Sequence, residues 1–294
     1  MLPETGRFAS KTVAQPNAKK ARGPCPELHE RIVGYIVNRR NEDGGYAFAQ
    51  GLDSNAQDTY YGLAILSLMD SPFPDSQTTV KWLNEFEPDS IYSYYYTSKA
   101  LTLCNEQICN RTKRFLLSVV SSRRYFGNVD VYIEVASEFE LTLMVLELAS
   151  VLKIMPDAKD IKKWLLENKN EEGGFGAYKH SNISSTYFAV AALGLLKVDR
   201  RELSGTVSFV RKCELSHGGF AVIPGYGPPY VEYTYYGATA LSVLGENCMF
   251  PAQTVDFLLR CQRGNGGFAR SDLGISTFEN TFQAVSVLRN LGYL

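Results

Sequence analysis

The chain has 294 residues, of which 45% are hydrophobic, and 30 Lys and Arg against 31 Asp and Glu leave a formal net charge of −1. Because phosphate binding draws on clustered basic side chains, this balance argues against a nucleic-acid partner. The longest mostly apolar stretch, residues 187–196, is about half of the roughly 20 residues that a membrane span requires, so no transmembrane segment is predicted. The six cysteines form no C-x-x-C pair, which predicts free thiols and a cytoplasmic location.

Residues 1–24 contain Pro, Lys and Ala but no apolar run, so they are predicted to be a disordered leader rather than a signal peptide or a helix. The rest of the chain, residues 25–294, is predicted to be one domain. A chain of about 300 residues can bury roughly three quarters of the surface that its unfolded form exposes, so it needs no metal or disulfide to fold.

A Gly-Gly-aromatic triplet recurs along the chain and indicates its architecture. It occurs at residues 44–46, 173–175, 218–220 and 266–268. The last two spacings are 45 and 48 residues, and the first is 129 residues, or three periods of 43. We therefore expect two further units without the glycines, near Glu87 and Asp130, and six units in all. This period is typical of helical repeat proteins, in which each unit needs neighbours to bury its apolar face.

Each unit is predicted to contain an amphipathic helix followed by an apolar one. The amphipathic helices have apolar residues at i, i+3 and i+4 with charges opposite, which places them outside. They are Glu27–Arg39, Gln77–Phe86, Cys109–Ser121, Ala158–Asn168, Glu202–Cys213 and Pro251–Gln262. The second helices carry little charge on any face, which places them inside. They begin near Asp58, Tyr92, Glu138, Ser184, Glu232 and Glu279.

The predicted fold is all-α. Six helix pairs could form an open solenoid or close into an (α/α)6 barrel, also called a toroid. Closure is favoured because no terminal unit has the polar face of an end cap. It is also favoured by small residues that let inner helices approach closely, namely Gly62, Ala64, Ala189, Ala191, Gly237, Ala238 and Ala284.

The inner helices can be aligned on one residue from each, namely Thr59, Tyr94, Phe139, Thr186, Thr234 and Thr281. Two residues earlier lies a polar column of Gln57, Tyr92, Ser137, Ser184, Glu232 and Glu279. Two residues later lies a more aromatic column of Tyr61, Tyr96, Leu141, Phe188, Tyr236 and Gln283. The columns are four residues apart and share one helix face. If that face points to the axis, the toroid encloses a funnel with a polar mouth and a floor of Tyr, Phe and Leu, which suits a long apolar molecule with a polar head.

The Gly-Gly-aromatic units and the segment Thr-Tyr-Tyr-Gly-Ala-Thr-Ala-Leu at residues 234–241 resemble the repeats of protein prenyltransferase β subunits and of squalene-hopene and other class II terpenoid cyclases. The resemblance covers residues 27–294. It implies a toroid with a cavity for an isoprenoid ligand and, as for the β subunits, a helical-repeat partner subunit. It does not fix the chemistry, because one fold serves many reactions.

The metal and diphosphate motifs that the resemblance implies are mostly replaced. Tyr230, Glu232 and Asn280 stand where zinc-dependent protein prenyltransferases place their zinc ligands, so zinc is not expected. Of the family's diphosphate contacts, a tyrosine remains as Tyr233. Transfer of a prenyl group to a protein cysteine through zinc is therefore not predicted.

Three carboxylates remain candidate catalytic acids. Class II cyclases donate a proton from the middle Asp of an Asp-x-Asp-Asp-Thr motif; here Gln57 replaces that Asp, and Asp58 matches the last one. Glu232 and Glu279 occupy equivalent positions in adjacent units and could share a proton or hold Mg²⁺. The competing interpretation is that both are solvated first-turn residues that favour the helix dipole.

The predicted substrate-binding residues are Gln57, Tyr61, Tyr92, Tyr96, Phe188, Tyr233, Tyr236, Asn280 and Gln283. Basic groups in loops before the inner helices could grip a diphosphate or could be solvated surface charge. They are His180 with Lys179, Arg270, and Arg123 with Arg124. The sequence favours an isoprenoid-processing enzyme related to terpenoid cyclases or prenyltransferases. The alternative is a non-catalytic lipid-binding or scaffold toroid.

Overall fold

The structure, a computed structural model, describes residues 26–122, 137–154 and 156–294. Within these ranges twelve α-helices form six consecutive pairs, so the prediction of an all-α fold is confirmed. The predicted leader, residues 1–24, and the expected unit boundary near Asp130 lie outside the described residues. No helix in the described ranges combines the length and the apolar character that a bilayer crossing needs.

The first helix of each pair forms an outer layer. These helices are α1 (Pro26–Val37), α3 (Ser76–Glu85), α5 (Asn110–Ser122), α7 (Ala158–Glu167), α9 (Thr206–Cys213) and α11 (Pro251–Cys261). Their bounds follow the predicted amphipathic segments except at α9, which begins four residues later than expected. A short 3₁₀ helix, Arg200–Leu203, occupies the missing turn, and Gly205 separates the two with a left-handed φ of 86°.

The second helix of each pair forms an inner layer. These helices are α2 (Ala56–Leu68), α4 (Ile91–Leu103), α6 (Glu138–Leu152), α8 (Ile183–Leu195), α10 (Val231–Leu244) and α12 (Phe278–Asn290). Most begin at a polar side chain that accepts a backbone N–H of the first turn, which supplies one of the partners that a helix start lacks. These capping residues are Asn55, Ser90, Ser137, Asn182 and Thr277.

The inner helices form a closed ring. Each packs on the next along the chain, and α12 packs on α2. At the junction Phe278 is fully buried, with its ring centroid 5.7 Å from that of Tyr35 and 6.1 Å from that of Tyr46. Gly266 lies against the backbone of Arg31, where a Cβ would clash with the carbonyl. The toroid predicted from the repeats is therefore confirmed, and the open solenoid is not formed.

A buried hydrogen bond joins each Gly-Gly-aromatic turn to its inner helix. The backbone N–H of the aromatic residue donates to a threonine hydroxyl in the first turn of that helix at 2.9 to 3.2 Å. The pairs are Tyr46 with Thr59, Phe175 with Thr186, Phe220 with Thr234 and Phe268 with Thr281. All four threonine side chains are fully buried, so the hydroxyl is the partner that this N–H needs.

The sequence of the second and third units has neither the Gly-Gly-aromatic triplet nor the threonine. In the second unit Tyr94 takes the threonine position and stacks on Phe115 of α5, with ring centroids 4.0 Å apart. In the third, the cap at Ser137 places Leu141 four residues later, so Leu141 and not Phe139 is equivalent to Thr59. The predicted alignment of α6 is thus wrong by two residues.

Gly237 was predicted to let neighbouring inner helices approach closely, but the structure gives it a different role. A Cβ there would clash with the ring of Phe220, the aromatic residue of the same unit's glycine turn. The missing side chain of Gly237 therefore leaves room for the ring of Phe220 between the inner and outer helices. At Gly62 the corresponding neighbour is Tyr46, again from the same unit.

We predict that Thr186→Val lowers the free energy of unfolding by about 1 to 3 kcal/mol, because it leaves the buried N–H of Phe175 without an acceptor. Urea unfolding of the purified protein measures the change. Thr239→Val is the matched control, since the hydroxyl of Thr239 is buried without a hydrogen-bond partner among the described residues. Equal effects of the two substitutions would contradict the proposed role of the hydrogen bond.

Candidate functional site

The ring encloses an upper cavity of about 620 Å³ at the N-terminal ends of the inner helices. This volume lies within the range of about 300 to 1,000 Å³ that small-molecule sites occupy. Its lining contains four carboxylates and, among the described residues, no Lys, Arg or His. The lining residues are Gln57, Asp58, Tyr61, Ser137, Glu140, Ser184, Phe188, Glu232, Tyr233, Tyr236, Thr277, Glu279, Asn280 and Gln283.

A lower chamber of about 110 Å³ continues the cavity along the axis. Six residues line both spaces and so form the neck between them: Tyr61, Glu140, Phe188, Tyr236, Glu279 and Gln283. Below the neck the chamber is lined by further aromatic and polar side chains, namely Tyr60, Tyr95, Tyr96, Lys99, Leu143, Met144, Glu147, Tyr187, Tyr235 and Phe282. The predicted axial funnel is present, with a wide mouth and a narrow base.

Most of the predicted substrate-binding residues lie on these surfaces. Gln57, Tyr61, Phe188, Tyr233, Tyr236, Asn280 and Gln283 line the upper cavity, and Tyr96 lines the chamber. Tyr92 lines neither space; its hydroxyl is buried without a hydrogen-bond partner among the described residues. Burial raises the pKa of Tyr92, and the Glu140 and Glu279 carboxylates raise it further, so its hydroxyl stays protonated close to these acids.

The aromatic side chains pack on one another across the ring. Tyr61 lies with its ring centroid 5.5 Å from Tyr96 and 5.2 Å from Phe282, and the hydroxyls of Tyr61 and Tyr96 are 3.2 Å apart. On the opposite side the rings of Phe188 and Tyr236 are 5.2 Å apart. Burial raises the pKa of Tyr96 and Tyr236, so these rings are neutral. They present an electron-rich face that attracts positive charge.

Glu232 is committed to an ion pair. Its carboxylate lies 2.6 Å from the guanidinium of Arg270, in the loop before α12. The same guanidinium donates to the Tyr233 hydroxyl at 3.4 Å and lies 4.1 Å from the ring centroid of Tyr230. Arg270 was a predicted diphosphate contact, but its guanidinium instead interacts with three residues of this protein at the cavity mouth, Glu232, Tyr233 and Tyr230. Glu232 is a poor candidate for a proton donor while this pair holds.

Glu279 and Glu140 are the two carboxyl groups at the neck. Burial raises the pKa of Glu140 to about 7, and the neighbouring Glu279 carboxylate contributes to the rise. Burial also raises the pKa of Glu279, reinforced by the carboxylates of Glu232 and Asp58. Gln283 donates to Glu279 at 3.3 Å. The Glu279 carboxylate thus disfavours the charged form of Glu140, so a substantial fraction of Glu140 stays protonated near neutral pH.

Sequence analysis missed Glu140 because the alignment of α6 was displaced. Counted from the helix caps, Glu140 is equivalent to Asp58, Tyr233 and Asn280, all of which line the upper cavity. The Ser-x-x-Glu spacing of Ser137 and Glu140, a common helix-start pattern, was the available signal. Anchoring α6 on that cap would have placed Glu140 at the axis.

Asp58 lies in the upper cavity, but its carboxylate is held by its own helix cap. Asn55 donates to it at 2.6 Å and accepts the backbone N–H of Asp58 at 2.8 Å. Burial raises the pKa of Asp58, and the Asn55 hydrogen bond offsets part of that rise. This bonding to the charged form makes Asp58 a weaker proton donor than the pair at the neck.

The predicted Tyr, Phe and Leu side chains line the chamber, but its base also holds an ion pair that was not predicted. The ammonium of Lys99 lies 2.8 Å from the carboxylate of Glu147, which also accepts the Tyr95 hydroxyl at 2.5 Å. Each is the lone charged residue beyond the first turn of its inner helix, a signal that the sequence carried. The structure alone shows that they meet.

The positions that correspond to family zinc ligands do not fit zinc here. Tyr230, Glu232 and Asn280 supply no thiolate or imidazole, and Glu232 is paired with Arg270. For Mg²⁺, Glu232 and Glu279 were the predicted pair, but Glu232 is paired with Arg270, and burial raises the pKa of Glu279. Among the described residues, no three His, Cys, Asp or Glu side chains converge on a point that could hold a metal ion.

Of the other basic residues predicted to contact a diphosphate, Lys179 and His180 do not reach the axis. Lys179 and His180 are exposed in the loop before α8 and line neither space. Arg123 and Arg124 lie outside the described residues. In the part of the chain that the structure describes, the head of a ligand in the upper cavity would therefore meet carboxylates and no unpaired basic side chain.

We predict that Glu140→Gln removes a pH-dependent destabilisation. The folded pKa of about 7 lies above the unfolded value of about 4.3, so the folded state binds more protons between these values and wild-type stability falls as pH rises through them. Relative to wild type, the variant should gain about 2 to 3 kcal/mol between pH 4.5 and pH 8. Urea unfolding at both pH values measures the gain, with exposed Glu87→Gln as control. A difference independent of pH would refute the assignment.

Comparisons with known structures match the whole toroid. Protein geranylgeranyltransferase-I of Candida albicans, complexed with GGPP, superposes with a TM-score of 0.69 at 16% identity, covering 91% of each chain. A protein from Actinoplanes gives 0.60 at 15% identity, covering 91% of this chain and 99% of that one. A variant of the type II terpene cyclase MstE from Scytonema, in complex with geranylgeranyl dihydroxybenzoate, gives 0.59 at 12% identity, covering 92% and 97%. The TM-scores show that these proteins share the fold of this chain, and at such low sequence identity they show the fold alone.

Comparison with curated protein sequences gives no significant match. A family model does match, and it is described as the prenyltransferase alpha-alpha toroid domain. The match covers residues 17–127 and 137–293, which is nearly the entire chain. The chain therefore belongs to the prenyltransferase alpha-alpha toroid family.

Proposed function

We propose that this protein is an isoprenoid-processing enzyme that holds a neutral isoprenoid in the axial cavity and uses the Glu140 and Glu279 carboxyls as its acid. The observation that carries the proposal is the position of this pair at the neck, directly beside the rings of Tyr61, Phe188 and Tyr236. A proton donor and an aromatic surface thus adjoin the same space.

The charge of the upper cavity favours a neutral head group over a diphosphate. Asp58, Glu140, Glu232 and Glu279 all line it, and Arg270 at the mouth is paired with Glu232. A diphosphate would meet these like charges, and the described lining offers no Lys or Arg to pair with it. A hydroxyl, ether or carbonyl head would instead accept a proton or hydrogen bond from the neutral carboxyl.

The proposed chemistry is general acid catalysis at the head of the ligand. The proton leaves a carboxyl oxygen of the Glu140 and Glu279 pair and forms an O–H bond with the head hydroxyl. The C–O bond then breaks, its electron pair stays on the oxygen, and water leaves. Positive charge that develops on the adjacent carbon faces the neutral rings at the neck, which stabilise it. A general acid of this kind contributes about 10² to 10⁴ in rate. The remaining carboxylate can later recover a proton from the product.

Two of the structures compared above are complexes with isoprenoid molecules. The Candida protein is complexed with GGPP, and the Scytonema cyclase variant is complexed with geranylgeranyl dihydroxybenzoate. Both support the proposal that the axial space of this toroid takes an isoprenoid. A helical-repeat partner subunit stays a prediction from the family resemblance.

A non-catalytic lipid-binding or scaffold toroid is the second candidate, and the narrow base favours it. The chamber below the neck measures about 110 Å³, and its rings already pack together with centroids 5.1 to 5.6 Å apart. A protein that held only part of a lipid chain would not need more space. This candidate predicts binding without turnover.

We predict that the purified protein converts geraniol, farnesol or geranylgeraniol to new products, whereas the corresponding diphosphates are not consumed. Incubation with and without Mg²⁺, followed by mass spectrometry of extracted products, measures turnover. Glu140→Gln and Glu279→Gln should each lower kcat by about 100-fold or more, because each removes a member of the proton-holding pair. Glu138→Gln is the matched control, since Glu138 lies on the same turn of α6 and lines neither space.

The outcomes separate the two candidates. Binding of these alcohols without formation of any product supports the non-catalytic lipid-binding toroid. Preferential turnover of the diphosphates contradicts the neutral-head proposal. If none of the probes raises the melting temperature, the isoprenoid proposal fails in both forms, because a ligand that binds the folded state must stabilise it.

A further inference from the structure

The Lys99 and Glu147 ion pair at the base of the chamber has no role in the acid chemistry at the neck. Lys99 lies in the third turn of α4 and Glu147 in the third turn of α6, so the pair lies below the aromatic neck. Tyr95 donates a second hydrogen bond to Glu147. The ion pair is a polar group at the end where a hydrocarbon tail would be expected.

The charged atoms face the chamber. Lys99 and Glu147 keep 28% and 27% of their side-chain surface accessible, and both line the enclosed space. Their remaining solvation therefore comes from whatever fills the chamber. A hydrocarbon chain there would remove that solvation, and a charged pair without compensating hydrogen bonds is costly to bury.

Lys99 also retains hydrogen-bonding capacity. An ammonium has three N–H donors; one is directed to Glu147 at 2.8 Å and a second to the Tyr60 hydroxyl, which leaves one. The rings of Tyr60 and Tyr95 lie 5.7 Å and 5.4 Å from its nitrogen, close enough for an attraction to the ring face but not a replacement for an oxygen acceptor. An oxygen atom in the chamber would accept the remaining N–H of the Lys99 ammonium.

Other polar groups surround the same space. The hydroxyls of Tyr187 and Tyr235, on α8 and α10, are 3.4 Å apart and can each donate or accept. With Tyr95 and the ion pair, they place polar atoms on four inner helices around one small volume. About 110 Å³ admits one small functional group or a few waters, but not a folded isoprenoid chain.

We infer that the lower chamber is a polar subsite that binds an oxygen-bearing group, a hydroxyl or carbonyl, at the tail end of the ligand. The inference rests on the proposed function, since it assumes that an isoprenoid enters the axial cavity. It narrows the substrate class to isoprenoids oxygenated at both ends. The head lies among the carboxyls, the chain passes the aromatic neck, and the tail oxygen accepts from Lys99.

This arrangement predicts that the protein binds isoprenoids with plain hydrocarbon tails much more weakly than those with an oxygen at the tail end. A site built to hydrogen-bond one oxygen rejects the analogue that lacks it, because the site's own polar groups lose their partner. A purely structural ion pair that joins α4 to α6 would instead affect stability and leave ligand preference unchanged. The two roles therefore differ in a measurable way.

The test compares farnesol with ω-hydroxyfarnesol, which differs by one hydroxyl at the far end of the chain. Isothermal titration measures both dissociation constants. We predict that the wild-type protein binds ω-hydroxyfarnesol at least about 10-fold more tightly, as expected for a hydrogen bond to a charged group. The double variant Lys99→Met with Glu147→Leu, which leaves no unpaired charge, should lose or reverse this preference.

A matched control tests the removal of an ion pair elsewhere. Lys162 and Glu202 are also 2.8 Å apart, but on the outer surface, so the double variant Lys162→Met with Glu202→Leu should keep the wild-type preference. Should the chamber variant not fold, Tyr60→Phe removes a hydroxyl beside Lys99 and should reduce the preference several-fold.

The outcomes distinguish this inference from the proposed function. Equal binding of the two probes by wild type, or an unchanged preference in the chamber variants, overturns the polar subsite and leaves the isoprenoid cavity standing. If neither probe binds to the wild-type protein, the proposed function fails and the subsite fails with it.

Discussion

The contact between the first and last helix pairs is the constraint on which the interior depends. Phe278 at the start of α12 packs between Tyr35 and Tyr46 of the first unit, and the turn at Gly266 lies against α1 with no room for a side chain. Without this contact both terminal units would expose an apolar face, which repeat arrays otherwise have to cap. Closure buries those faces and at the same time encloses the axial space.

Within that space, polarity changes twice along the axis. Carboxyls lie near the helix N-termini, aromatic rings form the neck one turn deeper, and the Lys99 and Glu147 pair lies below them. Each change matches one further turn of the same six helices, because residues four apart share a face. A ligand that lay along this axis would therefore meet different chemistry at its head, chain and tail.

The repeat made much of the fold predictable from the sequence. Where a unit keeps its glycine turn, the aromatic residue and the threonine that accepts its N–H recur at nearly the same spacing, so an alignment on Thr59, Thr186, Thr234 and Thr281 placed four inner helices correctly. The third unit lacks these markers. There Phe139 and Leu141 are both buried, and apolar character alone did not show which is equivalent to threonine.

The sequence by itself determined the six helix pairs, the inner and outer layers and most of the cavity lining, because these follow from local periodicity repeated along the chain. The tertiary structure decided which charges meet. The pairing of Glu232 with Arg270, the proximity of Glu140 to Glu279 and the contact of Lys99 with Glu147 each join residues from different segments. Such contacts depend on the rotation of each inner helix about its own axis and on ring closure, and a repeat period constrains neither closely enough to position a side chain.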